Sequence, residues 1–270
     1  NSARVFRFSQ ISKYFSGQNS VIIHIPELFV KRFYKTLTKN DLRYFRFVNE
    51  VHINILNQSI HLMPNPKEVH ALKSFGNKVT ITTAHSQYCN EYYRDYYNVP
   101  LHKLSVWISP EQYNFRLLEN KENLLIYSPD PHPLKSAVIR KLSKVKDLKL
   151  QMIENMSYTE YKELISKAKW ALTFGEGLDG YFLEPIFSGA VGFAVYNKDF
   201  FTEEFKGLKT VYSSFEELYD KICLDIQKLD NKHAYTEYQK QQFEICEQLY
   251  NSETYRDNIA KFYDKDYTFK

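Results

Sequence analysis

Apolar residues recur along the chain in two patterns that alternate. Val5, Phe8, Ile11 and Phe15 stand three or four apart, the spacing of one helical face over residues 2–15. Residues 21–25 form a short apolar run that closes at Pro26 and reads as a buried strand; residues 51–56 read as a second. Pro66 stands where a helix tolerates it best, at the first position, and opens a helix through Lys73. The β-branched run 79–83 predicts a strand. Residues 87–97 predict a helix and 104–108 another strand. Strands separated by helical stretches imply βαβ units and a parallel sheet.

The pattern breaks at a turn over 109–113 and resumes after the polar stretch 119–123. Residues 124–127 read as a strand. Pro129, Pro131 and Pro133 stiffen the loop behind it, and 134–142 is the helix that follows. A short strand over 148–153 comes next. Ser157 with Glu160 is a capping box, each side chain satisfying the other's orphan amide, and it opens a helix to about Lys167. Residues 170–174 and 191–195 are strands, Ser213-Ser214 cap a further helix, and from Asn231 the chain is helical and polar. The result is two α/β domains joined near residues 110–121.

Composition narrows the class. With 270 residues, 43% apolar and 25% charged, the chain has a globular balance, not a disordered or fibrous one. No apolar run is long enough for a spanning helix, and residues 1–7 carry no apolar signal-peptide core. Cys89, Cys223 and Cys246 are odd in number and at no metal spacing, which fits a reducing compartment. A cytoplasmic location is therefore expected. The net charge of +4 is mild and spread over both halves, so nucleic acid is not an expected partner. Glycine is scarce: eight in all, of which five lie between Gly175 and Gly192.

That cluster marks the candidate chemistry. Residues 174–184 follow a strand and lead into a helix. A glycine-rich strand-to-helix turn gathers backbone N–H groups and the positive helix end at one point, which suits a phosphate. Glu176 in the loop and Glu184 in the helix flank it. A carboxylate beside a phosphate is repelled unless it accepts hydrogen bonds from nearby hydroxyls, as a ribose or a sugar offers. Together these features describe a nucleotide-sugar site.

Residues 156–195 resemble the donor-binding core of retaining glycosyltransferases with the GT-B fold, the family-4-like group of bacterial surface-polysaccharide synthesis. The resemblance rests on Ser157 to Glu160, Ala168-Lys169-Trp170 running to Phe174, the Glu176-x7-Glu184 pair, and Gly189 five residues on. It implies two Rossmann-like domains: a reduced acceptor-side domain over 1–112 and a donor domain over 113–230. A helical tail over 231–270 would pack back toward the first. By the resemblance, Glu184 binds the donor ribose and Glu176 the hydroxyls of the transferred sugar. The backbone at Gly177, Gly180, Tyr181 and Phe182 holds the diphosphate, with Lys135 and Arg140 as its nearest basic anchors. The base lies along 153–156, at Asn155. His85, at a strand end, takes the place of the family's histidine near the donor sugar. The donor is a substrate, and no cofactor or metal is implied.

The sequence departs from the family at three places. Asp179 stands where glycine is usual, Pro185 where alanine is usual, and Ser128 where a basic residue is expected. Pro185 suggests a helix that starts late, near Leu183, or is kinked. The opening strand and glycine-rich loop of the family's first domain have no counterpart; either the protein is trimmed there or that domain is unusually small. Each residue also has an ordinary reading: Glu184 on a helix surface, Glu176 solvated in a loop, His85 structural, Lys135 and Arg140 on a solvated face.

Residues 29–47 interleave Lys31, Arg32, Lys35, Lys39, Arg43 and Arg46 with Phe29, Val30, Phe33, Tyr34, Leu37, Tyr44 and Phe45. Such a segment can lie on an anionic membrane surface, which fits a lipid-linked acceptor at the inner face of the cell membrane. The expected activity is metal-independent transfer of a sugar to a glycan or lipid-linked acceptor. The alternatives are a non-catalytic nucleotide- or glycan-binding partner subunit, and an epimerase or hydrolase of the same fold.

Overall fold

The computed structural model describes residues 10–15 and 17–270 and divides into two units, 1–106 with 256–270, and 107–255. Val5 and Phe8 of the first expected helix lie outside the described residues; within them α1 is Ile11–Tyr14.

The first unit is built on a parallel sheet of β1 (Ser20–Pro26), β2 (Glu50–Asn57), β3 (Lys78–Thr83) and β4 (Leu101–Lys103), in that order. Its helices are α2 (Val30–Thr36), α3 (Lys39–Phe47), α4 (Pro66–Ala71) and α5 (Glu91–Tyr97). Strand alternation sorts the side chains. Ile23, Ile25, Ile53, Ile55, Val79 and Ile81 bury one face against Val30, Phe33, Tyr44, Phe45, Val69 and Leu72. The positions between them are polar. His52 Nε2 lies 2.7 Å from Thr80 Oγ1, and Thr80 donates to Asn54 Oδ1 at 2.8 Å. Phe262 covers this face, its ring 5.5 Å from that of His52 and 5.7 Å from that of His24.

Two expectations shift here. The strand expected over 104–108 is instead β4, because Ser105 takes a left-handed φ of 70° that stops the ladder. Leu101 is held on its other side by Phe269, through two backbone bonds of 2.9 Å. The helix expected over 87–97 starts only at Glu91, where the Asn90 side chain accepts from the Tyr93 amide at 3.1 Å.

The second unit carries a five-stranded parallel sheet ordered β6-β5-β7-β8-β9. The strands are β5 (Glu122–Tyr127), β6 (Lys149–Met152), β7 (Ala168–Leu172), β8 (Val191–Val195) and β9 (Val211–Tyr212). Around them run α6 (Lys135–Leu142), α7 (Tyr158–Lys167), α8 (Gly180–Phe187), α9 (Phe215–Leu229) and α10 (Lys232–Leu249); α11 (Ser252–Tyr263) follows. Every residue of β7 is buried, as a central parallel strand requires. It starts two residues earlier than expected because Lys169, a residue that reads as polar, is buried in an ion pair with Asp230. Gly192 lets α8 rest directly on β8: a Cβ there would stand 2.9 Å from Ile186 and from the Phe182 ring.

The tail expected over 231–270 divides between the units. On α10, the Tyr235 hydroxyl lies 2.9 Å from the carbonyls of both Lys169 and Gly189, and Gln242 pairs with both backbone groups of Gly192. These bonds place α10 on the second unit, and the chain joins the first unit only from Arg256. The boundary between the units falls after Val106, before the expected 112.

Candidate functional site

Two helix starts and a strand end frame the site. The capping box of α7 is formed: the Glu160 amide donates to Ser157 Oγ at 3.3 Å, and the Ser157 amide donates to Glu160 Oε2 at 2.7 Å. The α8 helix opens on Asp179, whose Oδ1 accepts from the Phe182 amide at 3.1 Å. This cap starts α8 at Gly180, so the late start suggested by Pro185 does not occur. Pro185 sits inside the helix and removes one amide, while the Ser188 and Ala190 amides close the last turn at 3.0 and 2.8 Å. Gly189, with φ of 90°, then turns the chain.

Between these helix starts and the loop after β6 lies a cavity of about 610 Å³, lined in part by Ile153, Asn155, Tyr158, Tyr161, Tyr181 and Glu184. Its size and its mix of apolar, tyrosine and polar walls suit a small-molecule ligand. Glu184 Oε2 is buried with no hydrogen-bond partner. Burial pushes this carboxyl up to about 7, although the hydroxyls of Tyr113 and Tyr158 and the Lys162 ammonium act against the shift. A buried, poorly satisfied carboxylate facing a cavity is a candidate binding group. The Tyr158 and Tyr161 rings stack at 6.0 Å, and Tyr181 meets Tyr161 edge-on at 6.3 Å. Asn155 holds a left-handed φ of 53° at the rim, a conformation asparagine tolerates better than most residues.

The glycine loop is acidic. A Cβ on Gly175 would meet Asp130 Oδ2 at 2.8 Å and Asp179 Oδ2 at 3.0 Å, so two carboxylates converge there. Thr173 donates to Asp179 Oδ2 at 2.6 Å, yet burial still pushes the Asp179 carboxyl up to about 6, with Asp130 adding to it. Glu176 is exposed at the loop tip, its carboxyl raised by partial burial and by Asp130.

Of the residues expected from sequence, Asn155, Gly180, Tyr181 and Glu184 meet in this one cavity. Phe182 does not take part: its side chain is buried and its amide serves the Asp179 cap. Gly177, with φ of 93°, packs against Phe201 and the Val195 carbonyl. Lys135 and Arg140 line a separate depression with Tyr127 and Met152, and Lys135 Nζ donates to the Ser128 and Asp130 carbonyls at 2.8 and 2.9 Å. His85 lies at the end of β3 in the first unit, buried, its imidazole pushed down to about 4 by that burial. Sequence reasoning missed Tyr158, Tyr161 and the Asp130–Asp179 pair. Tyr158 and Tyr161 stand three apart on α7, a spacing that puts both on one face.

Solved structures supply the comparison. A trehalose-6-phosphate synthase, studied for glycosyl transfer with retention, matches 94% of this chain and 75% of its own at TM-score 0.56 and 9% identity. The chain has a GT-B-like fold. Sucrose-phosphate synthase from Thermosynechococcus elongatus matches 87% of this chain and 79% of its own at TM-score 0.53 and 10% identity. HepE of Anabaena, in complex with UDP, matches 80% and 72% at TM-score 0.52 and 11% identity. The chain spans 55% of the length of a chain in the Gap123 complex from Streptococcus agalactiae, matched at TM-score 0.48 and 11% identity over 89% of this chain. No family profile and no curated protein matches the sequence.

Proposed function

We propose that the second unit binds the nucleoside part of a nucleotide-sugar donor and that the chain is a retaining, metal-independent glycosyltransferase of cell-surface polysaccharide synthesis. One observation carries this reading: Glu184, one of whose oxygens is buried without a hydrogen-bond partner, lines a cavity together with Tyr158, Tyr161 and Tyr181, in a GT-B-like fold. The ribose hydroxyls would donate to Glu184, the base would lie along Ile153 to Met156, and Glu176 would meet the transferred sugar. The acceptor would be a glycan or a lipid-linked sugar. His85 is buried, which favours a structural role for it.

Peripheral membrane contact belongs to the same proposal. Phe29, Leu42 and Phe47 are exposed beside Lys31 and Arg43, while Phe33, Tyr44 and Phe45 turn into the core. Cosedimentation with anionic but not neutral vesicles is the expected result. No helix among the described residues is long and apolar enough to cross a membrane.

The site itself is tested by calorimetry with UDP, GDP, ADP and TDP and their nucleosides. Glu184→Ala should weaken nucleoside affinity by at least tenfold with the fold intact, since a hydrogen bond to a charged group contributes about 1.5–3 kcal/mol. Unchanged affinity would remove Glu184 from the site. The acidic loop favours a second reading, a partner subunit that binds nucleosides without transferring sugar. Slow release of nucleoside diphosphate from a nucleotide sugar identifies the enzyme, and its absence the partner subunit.

A further inference from the structure

The first turn of α8 would be the natural seat for a ligand phosphate, and Asp179 already occupies it. Its carboxylate accepts from the Phe182 amide at 3.1 Å and from the Tyr181 amide, and its carbonyl accepts from the Leu183 amide at 3.0 Å. The Tyr181 and Phe182 amides of the first turn, two that a phosphate would use, are thus committed within the chain, and the Leu183 bond is the first of the helix itself. Thr173 fixes the other carboxylate oxygen at 2.6 Å, and the Gly175 amide donates to Thr173 Oγ1 at 3.1 Å. Asp130 approaches from the facing loop; its Oδ2 is buried without a partner. The neighbouring cation, Lys135, donates from Nζ to the Ser128 and Asp130 carbonyls. Pro129 and Gly180, adjacent in sequence to Asp130 and Asp179, both line the cavity that holds Glu184. A phosphate leaving that cavity along the helix start therefore meets negative charge and two amides already engaged.

We propose that Asp179, backed by Asp130, takes the place of a ligand phosphate at the start of α8, so that the site recognises its ligand through the nucleoside and gains little from the diphosphate. This rests on the nucleotide reading of the cavity and assigns Asp179 the specificity of that site. Asparagine is as good a helix cap as aspartate, so Asp179→Asn removes the charge while keeping the cap. Asp130→Asn leaves the cap untouched.

The experiment is calorimetric titration of uridine and UDP, guanosine and GDP, adenosine and ADP, and thymidine and TDP, in EDTA and again with Mg²⁺. The wild-type protein should bind the preferred nucleoside and its diphosphate within about threefold of each other. Asp179→Asn should tighten the diphosphate at least tenfold relative to the nucleoside, and Asp130→Asn should act in the same direction. A wild-type diphosphate affinity more than tenfold above that of the nucleoside overturns the proposal, as does an unchanged ratio in both variants. A diphosphate gain that appears only with Mg²⁺ overturns it too, because the two aspartates would then be holding a cation. Absence of binding by every nucleoside and diphosphate would instead refute the nucleotide reading, and this inference with it.

Discussion

The Glu184 carboxyl sits at about 7 in the free protein because burial disfavours its charge. A ribose diol donates to a carboxylate far better than to a carboxylic acid, so ligand binding should draw the group into its ionised form and release a proton. The sign follows from this linkage. Affinity is complete above about pH 8, where Glu184 is already ionised, and falls about tenfold for each pH unit below about 7. Between about pH 8 and pH 5 the loss should approach a hundredfold, which is roughly 2.7 kcal/mol. A nucleoside is the right titrant, because it has no phosphate to titrate in this range. Calorimetry near pH 6 in buffers of differing ionisation enthalpy should report close to one proton released per ligand bound. Glu184→Gln should bind at about the acid-limit affinity of the wild-type protein, with no slope. A wild-type affinity that is flat with pH, or a glutamine variant with the same slope, would refute the argument.

If Glu176 meets the transferred sugar as proposed, Glu176→Gln should lower kcat far more than affinity for the free nucleotide, because its charge would act as charge develops in the transition state; lost nucleotide affinity with kcat intact would exchange the roles of the two glutamates. Transfer activity should survive EDTA, and loss restored by Mn²⁺ would make Asp130 and Asp179 cation ligands. The first unit should lose stability in acid. Burial depresses His24 and His102 and holds His52 at about 4, with Lys78 adding to the His52 shift and Glu50 opposing it. The unfolded chain therefore takes up protons first, and stability present above about pH 6.5 is lost as pH falls toward 4, by about 3 kcal/mol for His52 alone. Hydrogen exchange of β2 amides across that range, in wild type and His52→Gln, measures it; equal slopes would discount the histidine.

Much of the fold was legible because its signals are local. The runs at 51–56, 79–83 and 191–195 form strands buried along nearly their whole length, the run at 21–25 forms a strand buried only at Ile23 and Ile25, and the Ser157 and Ser214 caps form as their spacing implies. What escaped depends on contacts distant in sequence. The β4 strand is defined by Ile81 on one side and Phe269 on the other, and no local pattern in residues 101–108 reports the second. The early start of β7 turns on Asp230 neutralising Lys169. In the first unit, His52, Asn54, Thr80 and Thr82 alternate with apolar residues as a solvent-facing strand face would. All four are buried, and His52 lies against the Phe262 and Tyr267 rings from the far end of the chain.

The candidate site shows the same division at finer scale. The reach from Asn155 to Glu184 spans one βα unit, so chain order and helix caps sufficed to bring them to one cavity. Lys135 and Arg140 were expected beside it as basic residues of the preceding helix. The direction in which Lys135 points is set instead by two carbonyls of the 128–130 loop. Asp179 was visible in the sequence only as an exception to a glycine. Its meaning comes from Asp130, which the sequence leaves in a proline-rich loop and the sheet order carries to Gly175, because β5 and β7 are neighbours. A substitution that reads as a change of loop path is thereby a change of charge. It places a fixed anion at the start of α8, and on the proposed reading this leaves the nucleoside, with Glu184 and the tyrosines around it, as the part of the ligand that the site would grip.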